Sequence, residues 1–189
     1  MAYPTKIYQN QIADLVWRKM GKSSEVKTEW RSMAGSPDMY CPTLDVAVGP
    51  FALSRKYMQE YDIMFDRNKI FFNRLLWYHN DNVLRYSGTL PSYDRNGING
   101  QNRNARCFLA IEIENCVSRK HMLGGAVNAS GLGRIGIVVG WTDEKVKAFV
   151  KLLEYWNFLR KVKENNLNTK NLIILDQQQL KYTIQEYLS

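Results

Sequence analysis

The chain predicts an α/β domain, a mixed central sheet flanked by helices, and three observations carry that expectation. Helical and strand periodicities alternate along most of the 189 residues, which is the order layered α/β domains follow. The runs Cys107 to Ala110 and Gly136 to Trp141 are continuously apolar, as strands covered on both faces are. Long amphipathic stretches between the strands supply the covering helices.

Pro4 to Met20 reads as the first helix. Ile7, Ile12, Leu15, Val16 and Met20 form its stripe, Pro4 suits its first turn and Gly21 its stop. Val26 to Trp30 is a short strand bearing Glu29, with Glu25 just before it. A turn-rich segment containing Pro37-Asp38 leads into Thr43 to Val48, where Leu44, Val46 and Val48 are expected on one face and Asp45 and Ala47 on the other. Gly49-Pro50 ends that strand. Leu53 to about Asn80 is aromatic and helical in period, with Asp66-Arg67-Asn68 dividing it in two. Such a stripe is core or dimer interface.

From Asp81 to Arg106 the period fades and the centre becomes Asn, Gly and Arg, so a long loop is expected. Arg85, Arg95, Arg103 and Arg106 make it basic. Its functional reading is phosphate contact; its plain reading is a solvated loop.

The loop runs into Phe108-Leu109-Ala110-Ile111-Glu112-Ile113-Glu114. Successive strand side chains face opposite ways, so Ile111 and Ile113 share the core face while Glu112 and Glu114 share the other. Ser118 then caps a helix whose first turn holds Arg119, Lys120 and His121. Cations there, beside outward main-chain N–H groups, suit a phosphate. Gly131-Leu-Gly-Arg-Ile-Gly136 has the spacing of a dinucleotide fingerprint, but it follows a helix and enters a strand, the reverse of the required context. It reads as a helix end and turn. Thr142-Asp143-Glu144 starts a strong helix to about Lys163, Asn171 to Leu175 is the last strand, and Asp176 caps the closing helix.

Composition narrows the partners. Lys plus Arg number 26 against 18 Asp plus Glu, a net +8, which favours a polyanionic partner, nucleic acid ahead of membranes. No stretch reaches the length of a membrane span and the first residues lack a signal-peptide core, so no membrane partner is expected. Cys41, Cys107 and Cys116 form no CxxC and only two histidines are present, which argues against a disulfide framework or a zinc site. A cytoplasmic protein of one domain, residues 1–189, follows.

Asp45 on one strand and Glu112 on a neighbour can share one cation, and hard carboxylate oxygens suit Mg²⁺, with Mn²⁺ as a substitute. A cation so held can activate water against a phosphodiester. Leu44-Asp45-Val46-Ala47-Val48 followed by Ala110-Ile111-Glu112-Ile113-Glu114, then helix and strand, resembles the restriction-endonuclease-like core of the PD-(D/E)XK nuclease superfamily. The resemblance implies Asp45 and Glu112 as Mg²⁺ ligands with the Ile113 carbonyl as a further one. Glu114 stands where that family usually has Lys, an ExE variant, so either Glu114 serves the attacking water or Lys120 reaches in from the helix. The separation of Asp45 from Glu112 makes residues of about 53–106 an insertion. Glu25 or Glu29 is a further candidate ligand. Pro37-Asp38 lacks strand alternation, which favours Asp45.

The resulting expectation is a Mg²⁺-dependent DNA endonuclease, of restriction or phage type, working as a homodimer because cutting both strands favours two sites. Arg95, Arg103, Arg106, Arg119, Lys120 and His121 are its candidate DNA contacts. A non-catalytic nucleic-acid-binding or assembly protein on the same fold is the alternative. A third reading makes Glu112 and Glu114 structural partners of Arg119 and Lys120.

Overall fold

The computed structural model describes residues 4–21, 24–33, 41–98, 100–116, 118–162 and 169–188. Pro37-Asp38 and the expected helix end at Lys163 lie outside them. The first half runs α1 (Pro4–Met20), β1 (Val26–Arg31), β2 (Thr43–Val48), α2 (Met58–Arg67), α3 (Lys69–Tyr86) and α4 (Arg95–Ile98). The second runs β3 (Cys107–Glu114), α5 (Arg119–Leu132), β4 (Gly133–Gly140), α6 (Asp143–Val162), β5 (Leu172–Asp176) and α7 (Gln177–Glu186). The architecture is the expected α/β one. Among the described residues five strands lie in the order β1-β2-β3-β4-β5, antiparallel across β1, β2 and β3 and parallel across β3, β4 and β5. Parallel neighbours need crossovers, and α5 and α6 are those crossovers.

Helices cover both faces. Tyr8 and Ile12 of α1, Phe72 and Leu75 of α3 and Leu180 of α7 pack with Val46, Ile111 and Ile137. On the other face Met122 and Ala126 of α5 and Phe149 and Leu153 of α6 pack with Ala47, Ala110 and Val138. β4 is buried throughout, whereas β3 is buried from Cys107 to Ile111 and opens only at its last three residues. The two acids of β3 therefore sit where the central strand reaches solvent. Among the described residues, no helix is long and apolar enough to cross a membrane.

Four local expectations are corrected. The aromatic helix does not fade at Asn80 but runs to Tyr86, because its late polar residues serve the sheet. His79 Nδ1 accepts from Ile174 N–H at 3.0 Å and Asn82 Nδ2 donates to Ile174 C=O at 3.1 Å. These two side chains satisfy the outer edge of β5, which an open sheet would leave unpaired. The expected loop contains the turn α4, whose Ile98 is fully buried. No turn separates α5 from β4, since Leu132 ends one and Gly133 begins the other. A Cβ at Gly136 would lie 2.7 Å from the main chain of Ala129, so glycine lets that helix lie directly on its strand.

The fourth correction concerns β2. Val46 and Val48 pack on the α1 face, but Leu44 joins Ala47 on the α5 face. Simple alternation thus breaks at Asp45. The β1–β2 ladder skips the pair Glu29 and Asp45, and Glu29 has φ +49°, a left-handed conformation costing a non-glycine residue about 1–2 kcal/mol.

Candidate active site

The break in β2 builds the site. The last ladder pair between β2 and β3 is Val46 with Ile111, so continuing the register sets Asp45 opposite Glu112. Main-chain pairing stops there. Gln9 of α1 donates to the Asp45 carbonyl at 2.6 Å, turning it out of the sheet. The Asp45 carboxylate takes the place of the missing main-chain acceptor, receiving the Ile113 N–H at 2.7 Å. Glu29 lies in the same row, but its carboxylate is held by Lys6 at 2.7 Å and Gln9 at 2.9 Å. Those bonds tie it to α1, while its charge still bears on Asp45 and Glu112.

Glu112 points toward α5. A Cβ at Gly125 would touch it at 3.6 Å, and Asn128 Nδ2 reaches its Oε1 at 3.4 Å. Asp45, Glu112, Ile113 and Glu114 form one wall of a cleft of about 430 Å³, and Lys120, His121 and Asn128 of α5 form the other. Gly124 and Gly125 lie between these. Two glycines inside a helix cost roughly 1 kcal/mol each relative to alanine, and here they keep the helical wall low. Glu114 sits at the rim, with one oxygen accepting the Cys116 N–H. The start of α5 carries no acid in its first turn and no side-chain cap at Ser118; the His121 and Met122 N–H groups donate to the Ser118 carbonyl, and those of Arg119 and Lys120 precede the first helical acceptors.

Burial is the main electrostatic fact. It pushes Asp45 up to about 6, opposed by the Ile113 N–H and reinforced by the charges of Glu29 and Glu114. Burial, then the charge of Asp45 across the strand gap, pushes Glu112 up to about 9, with the Asn128 amide opposing. Among the described residues no ion pair reaches Asp45, Glu112 or Glu114. The reading of the glutamates as structural partners of Arg119 and Lys120 therefore finds no ion pair behind it. Two facing carboxylates that resist ionisation are the donor set a divalent cation would neutralise.

No group of three or more His, Cys, Asp or Glu side chains converges as metal ligands among the described residues. The donor set is two carboxylates and the Ile113 carbonyl. That fits Mg²⁺, which keeps several waters and takes one or two carboxylates.

The structure brings together Asp45, Glu112, Ile113, Glu114, Lys120 and His121 and leaves four predicted arginines elsewhere. Arg119 turns into a neighbouring groove between α5 and α6, with Lys147 and Lys151. Arg106 precedes the first residue of β3, about 20 Å along the strand from Glu112 at 3.3 Å per residue. Its guanidinium donates to the Ala52 carbonyl at 3.2 Å. Arg95 and Arg103 belong to the same connection, where Asn102 binds the carbonyls of Ser130 and Gly131 at the far end of α5. Asn128, Gly124 and Gly125 were not foreseen, although His121, Gly125 and Asn128 follow the i, i+4, i+7 spacing of one helix face. No protein-family model matches the chain, and no curated protein and no solved structure matches it.

Proposed function

We propose that this chain is a Mg²⁺-dependent endonuclease acting on DNA phosphodiester bonds. The observation that carries the reading is the meeting of Asp45 and Glu112 where the β2–β3 ladder stops, two carboxylates whose ionisation burial opposes, Glu112 more strongly than Asp45. Asp45, Glu112 and the Ile113 carbonyl would hold the cation. When bound, it supplies an acidified water and neutralises charge on the phosphate. The Lys120 and His121 side chains, with the first N–H groups of α5, hold the scissile phosphate against that wall. Lys120 would act on the attacking water, a choice supported by Glu114's engagement of one oxygen with the Cys116 N–H. The net +8 charge supports a polyanionic substrate, and three free thiols accord with a cytosolic setting. Action as a homodimer is part of the proposal.

One observation favours a second reading, a non-catalytic nucleic-acid-binding protein. The usual lysine position is an acid, Glu114, and its carboxylate is partly engaged in a turn. Incubation with supercoiled and linear DNA in Mg²⁺, Mn²⁺ and EDTA, beside Asp45→Ala and Glu112→Ala, separates the two. Metal-dependent cutting lost in both variants supports the nuclease. Salt-sensitive binding with no cutting on any DNA or RNA supports the second reading.

A further inference from the structure

Helix α3 is apolar on two sides, and among the described residues only one is used. Its inner side packs on the core and closes β5. Its outer side carries Ile70, Trp77 and Leu84, which are 60%, 55% and 78% exposed. These residues are seven apart, so they form a stripe along one helix face that drifts only about 20° per repeat. A row of large apolar side chains centred on an exposed tryptophan is the composition of an interface core. Water gives no reason to keep it.

We infer that this face of α3 binds the same face of a second copy, antiparallel, about a two-fold axis beside Trp77. The stripe is its own complement. Reversing one helix about Trp77 sets Ile70 against Leu84 of the second copy and Trp77 against Trp77. It also sets Arg74, on one flank of the stripe, against Asp81 of the second copy, so the flanks match in charge as the centre matches in shape. Arg74 is already braced for this: its guanidinium lies 4.8 Å from the centre of the Trp77 ring, and it meets Glu186 at 3.5 Å. The drift of the stripe suits a left-handed crossing of about 20°.

The exposed parts of the three side chains, at roughly 100–140 Å² each, bring about 750 Å² to the pair, and the flanking polar residues carry it to about 1,000 Å², the lower bound for a specific interface. The dimer is therefore weak and concentration-dependent. The inference does not rest on the nuclease reading, and a protein that cuts nothing would still dimerise.

Sedimentation velocity of the full chain is the test, from about 1 to 200 μM, where an interface at the lower size limit dissociates. The mass should rise from 22.0 kDa toward twice that value. Leu84→Glu and Ile70→Glu should each remain monomeric with unchanged circular dichroism, while Leu53→Glu, exposed elsewhere, should dimerise normally. In a background with Cys41 and Cys116 changed to Ser, Trp77→Cys should form a disulfide-linked dimer in air faster than Leu53→Cys. Wild type that stays monomeric throughout overturns the inference. So does a dimer that survives both Glu variants, or cross-linking no faster at position 77 than at position 53.

Discussion

Replacing Glu112 by Gln isolates the cost of one carboxyl proton. In the metal-free protein, burial and Asp45 hold Glu112 up to about 9, against 4.5 for the free group. Between those values the folded chain keeps a proton that the unfolded chain has released, so stability falls as pH rises across that window. Below pH 4.5 both states are protonated and the effect vanishes; above about 9 both are ionised and the loss is complete. At pH 8 the gap of about 3.5 pH units corresponds to at most roughly 5 kcal/mol at 1.36 kcal/mol per unit. The cleft's open side and the shared titration with Asp45 reduce this, leaving about 2 kcal/mol as the working expectation. Gln keeps the shape and the acceptor for Asn128 but cannot ionise. In EDTA at pH 8, Glu112→Gln should melt higher than wild type by roughly 4–8 °C for a chain of this size, and the two should converge near pH 4.5. Saturating Mg²⁺ should raise the wild type and leave the variant where it is. A variant less stable than wild type at pH 8, or a gap that ignores pH, would refute the reasoning.

Further predictions concern the cleft and the β5 edge. Asp45→Asn should keep the fold, since an amide oxygen can still accept the Ile113 N–H, yet lower Mg²⁺-dependent plasmid nicking by about 100-fold or more. Lys120→Met should cost about 100-fold in the same assay and Glu114→Gln clearly less, because proton handling falls to the unengaged group; the opposite ranking would assign Glu114 to the water. A Cβ at Gly124 meets nothing within 4 Å, whereas one at Gly125 meets Glu112. Both alanine variants should therefore gain about 0.5–1 kcal/mol in urea unfolding, and only Gly125→Ala should weaken Mg²⁺ binding by calorimetry. Burial lowers His79 to about 3, below the ordinary histidine value of 6.5, so its contribution is intact above pH 6.5 and is lost as pH falls toward 3. Denaturant titrations should show His79→Leu less stable at pH 7 by about 2–4 kcal/mol, with that gap narrowing in acid.

Local periodicity explains which parts were legible. Ile111, Glu112, Ile113 and Glu114 declare their two faces because a strand repeats every two residues, and Lys120 and His121 follow closely enough to reach the strand's end. The turned carboxylate of Asp45 was hidden, since it depends on Gln9 from one helix and Ile113 from another strand. Arg95, Arg103 and Arg106 misled for a geometric reason: the loop enters β3 at its beginning, and the acids stand at its end. His79 and Asn82 looked like the end of a helix because their partner, Ile174, lies over ninety residues away.

That distant pairing changes the standing of the segment between β2 and β3. Read from the sequence it is an insertion, an ornament on a strand-and-crossover skeleton. Folded, it is the lock on the sheet's far rim. Ile174 presents one N–H and one C=O to the outside, and two side chains of α3 answer both, so this edge is closed at that residue by occupation. A version trimmed to the skeleton would expose that rim together with the apolar sheet face that Phe72 and Leu75 cover, leaving a surface that another molecule's strand could extend.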